Sequence, residues 1–352
     1  MKEIILSAYG LKSERYSLHP LGTGLINHTW VVNNLHHEPA FVLQRLNTNV
    51  FKNPRAIAEN IRAIEKYLAK SYPEYLFVAP LQTKEGEEML YIEGDGYYRL
   101  TSYLWDSHSL DVVETSSQAF DAAQQFGRFT KVLSGFDSSQ LQITLPDFHN
   151  LSLRYRQFET ALLNGNNERI TKSSSLISFL QQQQTIVQTY EAIKLNPAFK
   201  LRVTHHDTKI SNVLFDKNNK AICVIDLDTV MPGYFISDAG DMLRTYLSPV
   251  SEEEKDFAKI EIREDYFKAI AKGYLSEMGE ELSAEEKKHF VYAGKFLIFM
   301  QALRFLTDYL NNDIYYGSNY DGHNLLRAQN QADLLTRLIE KENALTKFVE
   351  NI

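Results

Sequence analysis

The amino-acid sequence predicts an α+β fold built from a small β-rich N-terminal lobe, residues 1–105, and a larger, mainly helical C-terminal lobe, residues 106–352. Short apolar runs separated by glycine-containing turns dominate the first of these regions, which is typical of strands. From about residue 116, apolar side chains recur at helical spacing instead. A chain of 352 residues is long enough for two such lobes.

The predicted small lobe begins with an antiparallel meander and continues into one amphipathic helix. Asn53 and Pro54 are typical of a helix start, with Asn as the cap and Pro in the first turn. Apolar residues then recur at helical spacing as far as Leu68. Strands are predicted over the ranges 16–21, 29–32, 41–45, 75–81, 88–92 and 97–104.

The predicted large lobe is helical apart from one β-hairpin. Two apolar runs, 213–215 and 221–225, flank the polar turn 216–220, and this arrangement predicts the hairpin. Later helices are predicted from two capping-box patterns and from two stretches of helical periodicity: Ser251-x-x-Glu254, Ser283-x-x-Glu286, 286–311 and 324–347.

Composition and charge exclude several classes of protein. With 45 acidic against 37 basic side chains the net charge is −8, so nucleic acid is not an expected partner. The one cysteine, Cys223, lies in an apolar run, which favours a buried thiol in a reducing compartment. The first residues lack the core of a signal peptide, and no uninterrupted apolar run reaches about 18 residues. We therefore expect a cytoplasmic protein without a membrane partner, and the sequence indicates no protein partner.

The segment His205–Asn212 carries the pattern with the most chemical content. Transfer of a phosphoryl group needs a carboxylate that orients or deprotonates the acceptor hydroxyl, and oxygen ligands for a divalent metal ion. Asp207 and Asn212 are five positions apart, which is the spacing of the kinase catalytic loop, where the Asp receives the proton and the Asn binds metal. Asp226 follows at the end of the predicted hairpin, which would return it beside Asn212.

The loop, the hairpin and the segment Ile225-Asp-x-Asp228 resemble the aminoglycoside phosphotransferase and choline kinase superfamily. The resemblance covers most of the chain and implies a protein-kinase-like fold, with ATP and Mg²⁺ in the cleft between the lobes. One branch, the N-acetylhexosamine 1-kinases, is also similar in several ordered segments: Phe41–Asn47 with Val50 and Phe51, Pro146–His149 with Arg154, Val224–Gly233, Arg304–Leu310, and Gly322–Leu325 with Arg327. This branch implies transfer of the γ-phosphoryl group to the anomeric hydroxyl of GlcNAc or GalNAc.

The resemblance also implies roles for single residues. Asp207 would act as the base and contact the acceptor, whereas Asn212 and Asp226 would bind the nucleotide and its Mg²⁺. The turn Gly22-Thr23-Gly24 would cover the nucleotide phosphates, because glycine lets the backbone approach closely. By itself this turn could equally be a plain hairpin turn.

The strand lysine that usually holds the α- and β-phosphates in this fold is missing from residues 41–45. Arg45 is the favoured replacement, because a guanidinium group suits phosphate and keeps its charge. Gln44 takes the position if the alignment shifts by one residue. Glu59, on the following helix, is either the ion-pair partner of Arg45 or a solvated surface residue.

For the sugar, the resemblance implies contacts by a histidine, an arginine and an aromatic pair, which match His28, Arg304, Tyr315 and Tyr316. Aromatic rings suit sugar faces, and a guanidinium suits hydroxyl or acetyl oxygens. Arg304 could instead form a surface pair with Asp308, four positions away on a helix. Two alternatives stay open: another small alcohol as acceptor, choline-like or aminoglycoside-like, and a nucleotide-binding protein without catalysis.

Further polar residues near the motif have structural interpretations. His205 matches the loop histidine, and both His205 and His206 are expected to brace the loop rather than to bind metal. Asp228 is either a second carboxylate at the metal or, with greater weight, a hydrogen-bond acceptor that orders the following loop. Asp238 and Asp241 are expected to satisfy the amides of a helix start.

Overall fold

The computed structural model of the protein describes residues 1–21 and 26–352. The turn Gly22-Thr23-Gly24, predicted to contact the nucleotide phosphates, lies outside the described residues. The mixed α+β fold that the sequence predicts is confirmed, since a small antiparallel sheet is followed by a larger helical region. The division of the chain at residue 105 stays a prediction.

The small lobe is built around an antiparallel sheet. Helix α1 (Lys2–Ala8), which the sequence patterns did not predict, and helix α2 (Pro54–Ser71) accompany it. Asn53 caps α2 as predicted, because its side chain accepts a hydrogen bond from the Ala56 amide at 3.3 Å. The described strands lie in the order β1-β2-β3-β5-β4, where the ranges are β1 (Ser17–Pro20), β2 (His28–Asn33), β3 (Pro39–Arg45), β4 (Leu90–Ile92) and β5 (Gly96–Ser102).

The two faces of this sheet have different surroundings. On one face, Leu43 of β3 and its cross-strand partner Leu100 of β5 pack with Ile5 and Leu6 of α1 in a small apolar core. Because successive side chains of a strand alternate between faces, the neighbouring residue Gln44 lies on the other face and lines the cleft towards the large lobe. The packing of α1 therefore decides which strand residues reach the cleft.

Residues 75–81 do not form the strand that their apolar pattern predicts. They run beside β5, where the Leu81 amide donates to the Leu100 carbonyl at 2.7 Å and Pro80 forms an isolated bridge with Thr101. Pro80 has no amide hydrogen and so cannot donate to a continuous ladder. The segment is an extended connection from α2 back to the sheet.

The large lobe packs around one long central helix. Its helices are α3 (Ser116–Val132), α4 (Leu151–Asn164), α5 (Asn167–Lys172), α6 (Ser174–Gln182), α7 (Thr185–Leu195), α8 (Phe235–Tyr246), α9 (Glu264–Met278), α10 (Ala284–Lys288), α11 (Phe290–Leu310) and α12 (His323–Glu350). Helix α11 packs against α4, α8 and α12. Among the described residues, α11 is the one helix that is long and apolar enough to cross a membrane, but 78% of its most apolar stretch is buried inside the protein, as in a core helix.

The predicted β-hairpin is present in the large lobe. Strands β8 (Val213–Asp216) and β9 (Ala221–Val224) form it, and β6 (Ser107–Ser109) adds to its outer edge. A second strand pair, β7 (Arg202–Thr204) with β10 (Met231–Gly233), lies on the two sides of the hairpin in sequence. Both pairs deliver the loop 205–212 to the cleft.

One of the two capping-box predictions is confirmed and the other is wrong. Ser283 caps α10, since its side chain accepts from the Glu286 amide at 3.1 Å while the Glu286 carboxylate accepts from the Ser283 amide at 2.8 Å. Ser251 caps no helix within the described residues, because the Glu254 carboxylate accepts from the next two amides instead. The helix predicted over 286–311 is divided at His289 between α10 and α11.

Candidate active site

The loop 205–212 is held from behind by two aspartates of α8. The amides of His205 and His206 donate to the two carboxylate oxygens of Asp238, at 3.0 and 2.7 Å, and the Thr208 amide donates to Asp241 at 2.8 Å. Burial raises the pKa of Asp238 to about 7, although the two loop amides oppose the rise. The prediction that these aspartates cap a helix start is therefore wrong, because their oxygens receive the amides of the loop 205–212.

Both loop histidines are buried. The His205 Nε2 atom lies 3.0 Å from the Ile225 carbonyl oxygen, which joins the loop to the end of the hairpin. Burial lowers the pKa of His205 and lowers that of His206 to about 4. Neutral, buried imidazoles in these contacts support the bracing role expected for this pair.

Asp207, Asn212 and Lys209 lie together at the front of the loop. The Asn212 side-chain amide donates to the Asp207 carbonyl at 2.8 Å and to its carboxylate Oδ2 at 3.0 Å. The Lys209 ammonium lies 3.0 Å from the same Oδ2 atom. Within the described residues, the other carboxylate oxygen, Oδ1, accepts no hydrogen bond and is available to an acceptor hydroxyl.

Asp226 follows β9 directly and lies beside Asn212 as the hairpin predicts. The Ile225 amide donates to the Asn212 carbonyl at 2.9 Å, and both residues line the cleft together with Asp226. Burial of its carboxylate and the negative charges of Asp228 and Asp207 raise the pKa of Asp226 to about 7. A carboxylate oxygen surrounded by other negative charges suits a divalent cation.

The donor set at this place is small. Among the described residues, no three His, Cys, Asp or Glu side chains gather in the way that a protein-only metal site needs. Magnesium sites in phosphoryl-transfer enzymes usually rely on one or two protein oxygens, water and substrate phosphates. Asn212 and Asp226 match that requirement, so the residues present fit a metal that arrives with a nucleotide.

Asp228 pairs with the small lobe. Its Oδ1 forms a buried ion pair with Arg99 of β5, and its Oδ2 accepts a hydrogen bond from the Asn27 side chain at 2.7 Å. Both oxygens are therefore occupied by side-chain donors. Of the two interpretations of Asp228, the hydrogen-bond acceptor is the one that the contacts favour, although its donors come from the small lobe rather than from the following loop.

The structure corrects the prediction that Arg45 holds the phosphates. Arg45 shares a face of β3 with the core residue Leu43, opposite the cleft, and it pairs with Asp95 at 3.0 Å. The residues of this segment that line the cleft are Val42 and Gln44. The Glu59 carboxylate accepts a hydrogen bond from a side chain of the large lobe and forms no ion pair with Arg45.

The structure also places His28 away from the cleft. His28 is the cross-strand partner of Arg45, so its side chain lies on the same outer face of the sheet. Its ring stacks on Trp30 with 6.2 Å between centroids. The contact with sugar predicted for His28 is not supported, because the alternation of β2 directs Thr29, not His28, into the cleft.

Arg304, Tyr315 and Tyr316 do come together, in a depression that we call the arginine pocket. It lies between α4 and α11, and the residues used below are Arg154, Arg304, Asp308, Tyr315 and Tyr316. The Arg304 guanidinium lies 5.4 Å from the ring centroid of Tyr316 and 5.9 Å from that of Tyr315. Asp308 forms no ion pair with Arg304, because its carboxylate accepts the amides of the two tyrosines at 2.7 and 2.9 Å.

His149 packs against the loop 205–212, and the charges of the arginine pocket act on it. The His149 ring packs against that of His206, with 5.3 Å between centroids. Burial first, then His206, Arg304 and Arg244, hold the pKa of His149 well below its usual value. Arg244 in turn bonds Asp241, which holds the loop at Thr208.

Residues 17–278 match the sequence profile of the phosphotransferase enzyme family, which includes the aminoglycoside phosphotransferases. This match covers most of the chain. The chain belongs to the phosphotransferase enzyme family.

Solved structures of several small-molecule kinases share the fold of this phosphotransferase. The chain superposes on a microcompartment-associated aminopropanol kinase with a TM-score of 0.62 and 16% identity over 98% of this chain and 97% of that one. An aminoglycoside phosphotransferase from Alicyclobacillus acidocaldarius gives a TM-score of 0.66 and 13% identity, over 100% of this chain and 97% of that one. An amicoumacin kinase in complex with AMP-PNP and Ca²⁺ gives a TM-score of 0.63 and 13% identity, over 96% of this chain and 92% of that one. These similarities confirm the protein-kinase-like fold, whereas the hexosamine branch stays a prediction.

Three charged residues of the phosphotransferase site were missed by the sequence patterns. Lys209 stands two positions after Asp207, and an Asp-x-Lys pattern within the loop could have indicated it. Arg244 and Arg99 carry no such local signal. They reach the site only because α8 packs behind the loop and because β5 lies beside β3.

Proposed function

We propose that this phosphotransferase transfers the γ-phosphoryl group of ATP to the anomeric hydroxyl of an N-acetylhexosamine, GlcNAc or GalNAc. The observation that carries the proposal is the composition of the arginine pocket, where Arg304 and the rings of Tyr315 and Tyr316 lie together. It supplies guanidinium donors and aromatic rings, which are the groups that suit acetamido and hydroxyl oxygens and sugar faces. ATP as the donor also fits the cytoplasmic location that the sequence predicts.

The charge of the pocket argues against an amine as the acceptor. An aminopropanol or aminoglycoside kinase acts on a cationic compound, which calls for carboxylates or an aromatic cage. Here Arg154 and Arg304 form no ion pair within the described residues, and the pKa of Arg154 is lowered by burial and by Arg304. The one carboxylate in the lining, Asp308, is turned to backbone amides. A neutral or anionic acceptor is favoured.

The loop residues supply the chemistry. Asp207 orients the anomeric hydroxyl and accepts its proton as the oxygen attacks the γ-phosphorus. A bond forms between that oxygen and phosphorus, the bond from phosphorus to the bridging oxygen breaks, and ADP leaves. Lys209 lies 3.0 Å from the Asp207 carboxylate, where its positive charge would stabilise the negative charge that develops on the transferred phosphoryl group. Asn212 and Asp226 would hold Mg²⁺, which neutralises phosphate charge when bound.

The test is a substrate panel with the purified protein, ATP and Mg²⁺. GlcNAc, GalNAc, glucuronic acid, choline and no acceptor are compared by ADP release, and products are identified by phosphorus NMR. The methyl 1-glycoside of GlcNAc is the matched control, because it lacks the free anomeric hydroxyl. We expect an anomeric phosphate from one hexosamine and none from the glycoside.

The other outcomes separate the alternatives. Turnover of glucuronic acid alone would identify an acidic sugar, the second candidate, which the unpaired charges of Arg154 and Arg304 favour. Turnover of choline alone would refute the argument from pocket charge. ATP binding without turnover of any acceptor would indicate a nucleotide-binding protein without catalysis.

The role of Asp207 is tested by Asp207→Asn. Loss of a general base typically lowers turnover about 10²- to 10⁴-fold, and ATP affinity should stay nearly unchanged because Asp207 serves the acceptor. Asp265→Asn on the exposed surface of α9 is the control. Near-wild-type turnover by the Asp207→Asn variant would exclude this role.

A further inference from the structure

The small lobe needs a cation that faces the nucleotide phosphates, and strand β3 does not provide one. The two residues of β3 that line the cleft with Asp226, Val42 and Gln44, are uncharged. Arg45, next along the strand, lies on the opposite face with Asp95. Phosphoryl transfer depends on positive groups that hold the β- and γ-phosphates in place. Another residue must carry that charge.

Arg99 occupies the matching position on the neighbouring strand. It is the cross-strand partner of Gln44, so both side chains lie on the cleft face of the sheet. Its Nε donates to the Gln44 Oε1 atom at 2.9 Å. Among the described small-lobe residues that line the cleft, Arg99 is the one arginine or lysine.

The guanidinium group of Arg99 is oriented by its two partners and keeps donor capacity. Nη1 pairs with Asp228 and Nε with Gln44, whereas Nη2 makes no hydrogen bond within the described residues. The residue is only 3% exposed, so its orientation depends on these contacts. A planar guanidinium held at two nitrogens can present the third to a phosphate oxygen.

The place of Arg99 relative to the metal-binding residues agrees with such a contact. Asn212 and Asp226 line the same cleft from the large lobe. Arg99 lines this cleft too, and its partner Asp228 stands two positions after Asp226 in the chain. A phosphate chain whose metal lies at Asp226 would therefore come within reach of Arg99.

We propose that Arg99 is the small-lobe ligand of the nucleotide phosphates, in place of a lysine on β3, and that Asp228 and Gln44 orient its guanidinium group. The proposal rests on the proposed function in that it takes ATP as the donor. It assigns Asp228 to the arginine rather than to the metal. It also makes the Arg99–Asp228 pair the charged contact through which the small lobe and the hairpin hold the nucleotide together.

The experiment compares the binding of ATP, ADP and adenosine, with Mg²⁺ present, to the wild-type protein and to Arg99→Met. Loss of one charge-assisted hydrogen bond should weaken ATP and ADP binding roughly ten- to a hundredfold and leave adenosine binding unchanged. A residue with only a structural role would not separate phosphorylated from unphosphorylated ligands. Arg45→Met, the same change on the other face of the sheet, is the control and should bind all three normally.

Two further variants keep the test informative if Arg99→Met folds poorly. The double variant Arg99→Met/Asp228→Asn removes both charges of the buried pair, which avoids an unpaired carboxylate. Adding Gln44→Lys to it restores a cation on β3 and should recover ATP affinity. Unchanged discrimination between ATP and adenosine in the folded double variant would overturn the proposal. Failure of the wild-type protein to bind ATP would instead overturn the proposed function.

Discussion

Removal of the Asp238 carboxylate should loosen the catalytic loop without touching any substrate. Asp238 is fully buried, and its two oxygens accept the amides of His205 and His206 at 3.0 and 2.7 Å. Asp238→Ala leaves two buried amides without partners, each at a cost of about 1–3 kcal/mol, so unfolding should become easier by about 2–6 kcal/mol. Asp238→Asn keeps the shape but has one acceptor oxygen, and its cost should be about half as large.

The assay is urea unfolding at pH 7.5 together with turnover of the acceptor found in the substrate panel. The slope of the free energy against urea should be unchanged, so that the midpoint reports stability alone. Turnover should fall more than ATP affinity, because the loop that carries Asp207 loses its support. Asp265→Asn, on the surface of α9, is the matched control. Wild-type stability and turnover in Asp238→Ala would refute the view that this carboxylate holds the loop.

Three further predictions concern stability. His206 has a pKa lowered to about 4, whereas the unfolded chain titrates near 6.5, so its contribution is present above pH 6.5 and is lost as the pH falls. Between pH 7 and 5 this lowers the free energy of unfolding by about 2 kcal/mol. His206→Asn should lack this loss when urea unfolding is measured at the two pH values. An equal pH dependence of stability in the variant and the wild type would contradict the prediction. In Gly240→Ala the new Cβ would lie 2.3 Å from the Ala293 carbonyl oxygen, so α8 and α11 must separate at a cost of about 1–3 kcal/mol, measured by thermal unfolding; an unchanged melting temperature would count against this packing. Glu286→Ala leaves its buried partner Arg202 uncompensated and should cost about 3–5 kcal/mol, whereas replacing both residues by Met should recover much of the loss in the same melts; equal losses in the two variants would contradict the paired origin.

Several features could be predicted from the sequence because they depend on residues that are neighbours along the chain. The Asn53 cap of α2 and the capping box of Ser283 with Glu286 each join groups three positions apart. The hairpin 213–224 follows from two apolar runs around a polar turn. The loop that places Asp207 beside Asn212 is equally local, and its spacing survives in the structure as hydrogen bonds.

Other features were decided by tertiary packing. The alternation along β3 divides its residues into two sets, but only the packing of α1 on one face shows that Gln44, and not Arg45, reaches the cleft. No sequence pattern joins Arg99 to Asp228, because the two lie on separate lobes, 129 positions apart. Such contacts depend on how whole elements pack.

The sequence by itself determined the fold class and the placement of Asp207, Asn212 and Asp226 around one loop and hairpin, since these follow from periodicity and from short, ordered spacings. Tertiary structure alone decided that Arg99 reaches the cleft, that Asp238 and Asp241 hold the loop, and that Arg154 and Arg304 line one pocket. The physical reason is that charges and hydrogen bonds act over a few ångströms in space, and residues far apart in sequence become neighbours only after the sheet and helices have packed.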